Sequence, residues 1–357
     1  MKTRMFYTSR RLDWWLLLST LIISGWGIFH LYTLSSAGEI YYFKRQLIWV
    51  GIGFGLVALF YFIKEDFWKN LAYFIYGIVF FTLVVILFKE DGIYGAQRWL
   101  KLGWISFQPS EFAKIALILT LAKLLSGKES IRWKEIGISF CLTAIFVFLV
   151  AKQPDLGSAL IFPILWLGIL FLSGISWRKL LIILGTVSLS FPTIFLFLRP
   201  YQKLRILAFL NPQKDPLGAG WSILQSKIAL GSGGLLGKGM GGAIHTQLKY
   251  LPKPFTDFIF PSIGEEWGFV GILGLLVLYS IIILRGMSVV EEKGKSFAGL
   301  AAGGFVILLS LQVFINMGMS TGILPVTGVP LPLISYGGSS TITFLWGVGI
   351  LLSFKRE

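Results

Sequence analysis

The chain predicts an all-α integral membrane protein of about ten transmembrane helices, with a large structured extracytoplasmic loop between spans 7 and 8. Of its 357 residues, 55% are hydrophobic and only 14% charged, outside the usual range for a soluble domain. Apolar runs of roughly 20 residues, the length that crosses a hydrocarbon core of about 30 Å, recur along most of the chain. Lysine and arginine are also unevenly shared between alternate connections, as they are in polytopic proteins.

The spans fall at 12–34, 46–63, 69–88, 111–127, 136–151, 156–174, 179–198, 267–287, 297–319 and 339–354. Repeated helical spans select a bundle, because barrel strands show a shorter alternating pattern. The first run follows Lys2, Arg4, Arg10 and Arg11, and no small-residue cleavage site comes after it, so it is expected to stay as an anchor. With the N-terminus cytoplasmic, the inner segments hold seventeen basic residues, among them Lys128, Arg132, Lys293 and Lys295, against six in the short outer loops. That asymmetry predicts both termini inside and the long 199–266 segment outside; its own basic residues weigh little, because long loops translocate largely regardless of charge. The chain reads as one polytopic domain over 1–357.

The net charge of +15 is therefore mostly topology, and nucleic acid is not an expected partner, since no soluble segment interleaves a basic stripe with aromatics. One cysteine, Cys141, allows no intrachain disulfide and no cysteine metal cluster. His30, near the outer end of the first span, and His245, in the long loop, are expected to be packing or interfacial residues.

The unusual polar segments all fall on the outer side. "YGAQRWLKLGWISFQPSEFAK" (94–114) and "KQPDLGSAL" (152–160) each place Gln-Pro before an acid, Glu111 or Asp155. Proline suits the first helical turn and an acid meets the positive end of the helix dipole, so two well-started helices explain much of this. Lys114 needs more. It lies three residues after Glu111, inside an apolar span, where an unpaired ammonium costs at least about 2.5 kcal/mol; Glu111 or Asp155 is its expected partner, and an intramembrane ion pair is a functional-site signal.

The 199–266 segment mixes aromatics, turn signals (Asn211-Pro212, Asp215-Pro216) and a glycine-rich run at Gly231–Gly242 around Lys238, whose backbone N–H groups could cradle phosphate. "GSGGLLGKG" lacks the Ser or Thr of a nucleotide-binding loop and follows no strand, which excludes an ATP site. The uncharged, proline-rich 320–338 stretch reads as a re-entrant segment, tolerated near membrane depth only when buried in protein or lining a cavity, and Ser335 and Tyr336 either offer hydroxyls there or serve a purely structural role. In "KPFTDFIFPSIGEEWG" (253–268), Asp257 lies beside apolar residues that disfavour its charge, as suits a general base. The competing reading makes Thr256 or Asp257 a helix cap. Glu265 and Glu266, just before a predicted span, read as dipole-matching residues.

Taken together, "GAQRW", "QPSEFAK", "QPDLGSAL", "FLNPQKDPLGAGWSILQSKIALGSGGLLGKG", "TDFIF…GEEWG" and "LPVTGVPLPLISYGGSS" closely resemble the SEDS family (shape, elongation, division, sporulation), and "PVTGVPLPL" and "HTQLKYLP" look more like its RodA-type elongation members than its division members. The resemblance implies a ten-span peptidoglycan glycosyltransferase of the bacterial cytoplasmic (inner) membrane, with its active site outside; with Asp257 as base, an inverting displacement is expected. Such a protein would polymerise lipid II into undecaprenyl-pyrophosphate-linked glycan during cell elongation. It would work with a class B penicillin-binding protein transpeptidase and other elongation-complex membrane proteins, using a divalent cation (Mg or Mn) and no nucleotide.

The family's essential aspartate maps to Asp257, its polar cavity residues to Glu111, Lys114 and Asp155, and its loop arginine to Arg205. Arg98, Lys238, Gln108, Thr256, Ser335 and Tyr336 complete the expected substrate-binding set, with Arg98, Lys114, Arg205 and Lys238 as candidates for the pyrophosphate. The chain departs from the family where Leu-Pro-Glu and a histidine usually precede Thr-Asp: here the residues are Leu251-Pro252-Lys253-Pro254-Phe255, which exchanges a carboxylate for an ammonium. The main alternative is a flippase for lipid-linked precursors, which ten spans and intramembrane charges would also suit. It would need polar groups reachable from both sides, whereas these cluster on one. A scaffold without catalysis would need neither a buried Glu-Lys pair nor a lone acid.

Overall fold

The computed structural model describes residues 12–35, 40–88, 98–102, 105–196, 200–211 and 218–356. Of the sequence features above, residues 1–11, the 95–97 part of "GAQRW" and the 212–217 turn signals lie outside them. Among the described residues the regular elements are helices and one two-stranded ribbon. They begin with α1 (Trp14–Leu34), α2 (Ile40–Tyr61), α3 (Glu65–Leu87), β1 (Leu100–Leu102), β2 (Ile105–Phe107), α4 (Pro109–Leu125), α5 (Trp133–Lys152), α6 (Leu156–Leu172) and α7 (Trp177–Leu196). Then follow α8 (Pro200–Leu210), α9 (Ala219–Ser232), α10 (Ile244–Gln247), α11 (Ile259–Lys293), α12 (Phe297–Thr321) and α13 (Gly338–Arg356).

Among the described residues, α1, α2, α3, α5, α11 and α12 are long and apolar enough to cross a membrane, and α6 is apolar but shorter. The predicted count of ten is thus met only in part, and α4 shows one reason. It has 17 residues and carries Glu111, Lys114 and Lys123, yet it is buried almost all round, because α3, α6, α12 and α13 enclose it. A helix wrapped by protein need not be uniformly apolar. Facing outward instead are large apolar side chains of the outer helices, such as Leu59, Phe74 and Phe81.

Boundaries also differ from the sequence reading. The second and third helices start earlier, at Ile40 and Glu65, and the 199–266 segment contributes α8, α9 and α10. The stretch read as loop before α4 pairs as an antiparallel ribbon, Leu100 opposite Phe107. Local caps account for several starts: Asp13 accepts from Leu16 N at 3.2 Å, and Ser296 from Gly299 N at 3.2 Å.

The largest departure is in α11, which starts at Ile259 rather than 267 and breaks at Gly268 (φ 64°, ψ −162°). In an unbroken helix Phe269 and Val270 would donate to the carbonyls of Glu265 and Glu266. Here those carbonyls accept instead from Lys238 N (3.0 Å) and Gly239 N (3.1 Å), while Phe269 N and Val270 N donate to Gly234 O (2.9 Å) and Leu235 O (3.1 Å). The glycine-rich run is inserted into the break and satisfies the backbone that the kink frees. Glycine is required at the contact: a Cβ on Gly237 (φ 81°) would stand 2.2 Å from Glu266 O.

Of the 320–338 stretch, residues 322–337 are irregular backbone between α12 and α13, as the prolines predict, and Val329, Leu331, Leu333 and Ile334 are buried. Side chains satisfy its polar backbone: the Tyr279 hydroxyl donates to Pro332 O, Gln46 Nε2 to Ser335 O at 3.3 Å, and Gly337 N to Gln46 Oε1 at 3.2 Å.

Candidate active site

The polar residues gather where α4, α6, α11 and α13 begin and α12 ends. Pro109 opens α4, and Gln108 before it donates its backbone N–H to Ser339 Oγ, 2.9 Å away at the start of α13. One turn further in, Lys114 Nζ lies 2.6 Å from Glu111 Oε1, both side chains being buried. Of the two partners expected for Lys114, the structure selects Glu111; removing either member would strand a buried charge. The second oxygen, Glu111 Oε2, is buried without a hydrogen-bond partner among the described residues.

Asp155 is the helix-starting acid expected of it and not the partner of Lys114. It caps α6 through Ser158 N (3.2 Å), and its Oδ2 also accepts from Ser158 Oγ (2.9 Å) and Gln108 Nε2 (3.3 Å). Arg98 donates to the carbonyls of Gln153 (3.1 Å) and Pro154, with its guanidinium 4.0 Å from Asp155 Oδ1. The ribbon's entry, α4 and α6 are thereby joined around one carboxylate.

Asp257 stands just before α11 without capping it, since the cap position falls on Phe258 and has no side-chain bond. Its carboxylate is 15% exposed and lies 3.6 Å from Lys253 Nζ, whose side chain is 73% exposed. Its backbone is held firmly. Asn316 Nδ2 bridges Asp257 O (2.9 Å) and Val329 O (2.8 Å), Ser335 Oγ donates to Thr256 O (2.7 Å), and Tyr336 N donates to Phe255 O (2.8 Å). Gly328 borders the carboxylate, for a Cβ there would be 3.4 Å from Asp257 Oδ2. Ser335 therefore fixes the loop rather than offering a hydroxyl to a cavity, because Oγ is spent on Thr256 O and on Leu331 N. Tyr336 packs edge-on against Tyr42.

The other expected cations are placed differently. Arg205 on α8 donates to Val326 O at 3.4 Å, which ties the long segment to the 320–338 stretch beside the Asp257 loop. Lys238 is not brought to the cluster: its ammonium is 2.8 Å from the buried Glu265. With its backbone N–H groups engaged at the α11 break, the glycine-rich run holds a helix, not a phosphate. Glu265 and Glu266 are correspondingly not dipole-matching residues ahead of a span. Because α11 starts earlier, they lie inside it, where Glu265 accepts from His245 N (3.0 Å) and Thr246 Oγ1 (3.1 Å), and Glu266 from Gly241 N (2.7 Å) and the His30 ring. His30 is buried, with its other nitrogen 3.0 Å from Ser262 Oγ.

Sequence reasoning missed Asn316 and Gln46, the amides that fix the Asp257 loop and the 320–338 stretch. Two amides one helical turn apart, Gln312 and Asn316, inside an apolar span were the available signal for Asn316. The donor set does not fit a resident divalent cation: among the described residues no three His, Cys, Asp or Glu side chains group as ligands, and Glu111 and Asp257 each face an ammonium.

Long apolar helices enclosing a charged cluster at one end of the bundle define a multi-pass membrane protein with a polar site. Residues 11–357 match the family model FtsW/RodA/SpoVE, described as cell cycle protein. The chain belongs to that family. It is 41% identical over 325 residues to the peptidoglycan glycosyltransferase MrdB of Escherichia coli (strain K12), covering 90% of this chain and 88% of that one. It is 37% identical over 358 residues to stage V sporulation protein E of Bacillus subtilis (strain 168), covering 96% and 97%. Among solved structures, one on the structural coordination of polymerization and crosslinking by a peptidoglycan synthase complex aligns with a TM-score of 0.83 at 35% identity, over 97% of this chain and 98% of that one. The Thermus thermophilus rod shape determining protein RodA aligns with a TM-score of 0.72 at 32% identity, over 97% of each.

Proposed function

We propose that the chain is a peptidoglycan glycosyltransferase that joins lipid II units into glycan strands. It crosses the cytoplasmic membrane ten times, with both termini inside and the Asp257 end of the bundle outside. The carrying observation is Asp257 itself, a carboxylate tethered through its backbone and open enough to be reached, in a chain 41% identical to a peptidoglycan glycosyltransferase. The acceptor sugar's 4-hydroxyl donates its proton to Asp257 as its oxygen forms the new bond to the donor's anomeric carbon. The bond from that carbon to the diphosphate breaks on the opposite face, the electron pair leaves with the diphosphate, and the centre inverts. Lys114 and Arg98 set the positive potential on the leaving side, with Glu111 and Asp155 orienting them. A divalent cation enters only with the substrate's phosphates, as Mg²⁺ commonly does. A class B penicillin-binding protein supplies crosslinking.

The test is strand formation from labelled lipid II by the solubilised protein, with transpeptidation blocked. Wild type makes long strands, and a folded Asp257→Asn variant loses at least about 10²-fold in rate, the scale of general-base catalysis. Turnover near wild type in that variant would remove Asp257 from the base role. No strands from wild type, even with its transpeptidase partner, would favour lipid transport.

A further inference from the structure

Helix α11 is interrupted at Gly268, whereas α1, which packs along it, is continuous from Trp14 to Leu34. The contacts between them run in one antiparallel register across the interruption. After it in chain order, Asp13 accepts from Arg285 Nε. Beside it, Trp26 packs edge-on against Trp267 with ring centroids 5.5 Å apart, and a Cβ on Gly271 or Gly274 would stand 3.6 or 3.7 Å from the Trp26 indole. Before it, His30 meets residues 259–267, the part of α11 that Asp257 precedes.

Ser262 and Glu266 are four residues apart, so they share the helix face turned to α1. His30 engages both: Nδ1 donates to Glu266 Oε2 at 2.5 Å, and Nε2 lies 3.0 Å from Ser262 Oγ. Glu266 Oε2 also accepts from Thr33 Oγ1 at 3.0 Å, and its Oε1 from Gly241 N at 2.7 Å. One carboxylate thus joins α1, the first part of α11 and the glycine-rich run. Hydroxyl, imidazole and carboxylate in this order also activate serine nucleophiles. Burial excludes that use, since His30 and Ser262 are 0% exposed and Glu266 1%. What remains is direction: apolar contacts between helices have none, whereas hydrogen bonds fix both distance and angle. A further contact sets α1 beside the other support of the Asp257 loop. Gly27 approaches the 322–337 stretch so closely that a Cβ on it would stand 2.8 Å from Ile334 O, and the neighbouring Ser335 and Tyr336 hold Thr256 and Phe255.

We propose that α1 splints the interrupted helix and that His30 is a positioning residue: through Ser262 and Glu266 it fixes the direction of residues 259–267 and so, on the reading of Asp257 as the base, the placement of the reacting carboxylate. None of its contacts is with the residues given to the leaving side, Arg98, Lys114, Glu111 and Asp155. Loss of His30 should therefore lower kcat and leave KM near wild type.

The experiment follows hydrogen–deuterium exchange of the backbone amides and strand formation from labelled lipid II, both on the full-length solubilised protein. In His30→Leu, exchange within 259–267 should quicken by about tenfold or more while α12 keeps its wild-type rates. In the same variant kcat should fall by about ten- to a hundredfold at unchanged KM, the cost of misplacing a reacting group by about 1 Å. His30→Asn, whose amide nitrogen can still donate to Glu266, should recover most of both. Ser262→Ala removes a single hydroxyl and should give a milder fall in kcat, again at unchanged KM; it decides the matter if His30→Leu does not fold. Wild-type exchange at 259–267 or wild-type kcat in the folded variants would overturn the proposal. So would a rise in KM at unchanged kcat, which would assign the cluster to substrate binding, or equal losses in His30→Leu and His30→Asn, which would reduce it to packing. Exchange needs no turnover, so the splint can fail while wild type still polymerises, and the polymerase reading fails separately if wild type makes no strands.

Discussion

A buried ion pair is worth less to stability than its rupture costs, and Glu111 with Lys114 shows why at the scale of single residues. Neither side chain reaches water, and the pair's 2.6 Å contact is what lets each stay charged inside the bundle. Glu111→Gln or Lys114→Met alone should lower stability by about 3–5 kcal/mol, read as a fall in unfolding midpoint, because each strands the partner's charge. The double variant should regain much of that loss while strand formation stays impaired; a double-variant loss equal to the sum of the two single losses would show that the pair's charges are not coupled. This pair was legible in the sequence because its members sit three apart on one helix. The tether from Asn316 to Asp257 was not, because it joins residues 59 apart and only the fold brings them together.

At the scale of elements, α11 and the glycine-rich run form one unit. The run reads as a phosphate cradle from its composition alone, since the same exposed N–H groups that bind an anion can equally complete a broken helix. The partner was invisible in sequence: nothing around Gly268 announces a break, and the apolar run after it reads as a span with its own start. The steric requirement at Gly237 gives a direct check. Gly237→Ala must place its Cβ against Glu266 O at a positive φ, and should cost about 2 kcal/mol or more. A lowered unfolding midpoint with faster proteolysis within 233–246 is the expected result; an unchanged protein would show that the run does not hold the kink.

For the whole molecule, the bundle is also fastened at its other end. Asp13, just before α1, accepts from Arg285 Nε on α11 at 2.7 Å and from Lys355 Nζ on α13 at 2.6 Å, so one carboxylate gathers three helices. Burial alone would raise its pKa, but the hydrogen bonds from Lys355 and Arg285 outweigh that and hold it below the usual 3.8. The stabilisation is therefore full above the ordinary carboxylate pKa and is lost as pH falls through the depressed value of the folded state. The stability difference between wild type and Asp13→Asn, followed by thermal unfolding, should be constant near neutrality and shrink below about pH 4. A difference that grows on acidification would reverse the sign of this account. The overall helical architecture was legible from hydropathy, because most spans face outward. Less legible was α4, whose charges mark it as a helix surrounded by others, and the ribbon before it, whose short strands carry too few residues for a pattern.

The break at Gly268 gives the molecule a lever. Residues 259–267 are a short arm with Asp257 just beyond its tethered end and Gly268 as its fulcrum, and the arm is gripped near the fulcrum by residues 234–239 rather than by continuous helix. Leu235, Leu236 and Met240 project from that grip with their side chains exposed. A load applied to them would reach α11 at the Gly268 break, and the tether of Asp257 by Asn316 at the arm's other end would resist its turning.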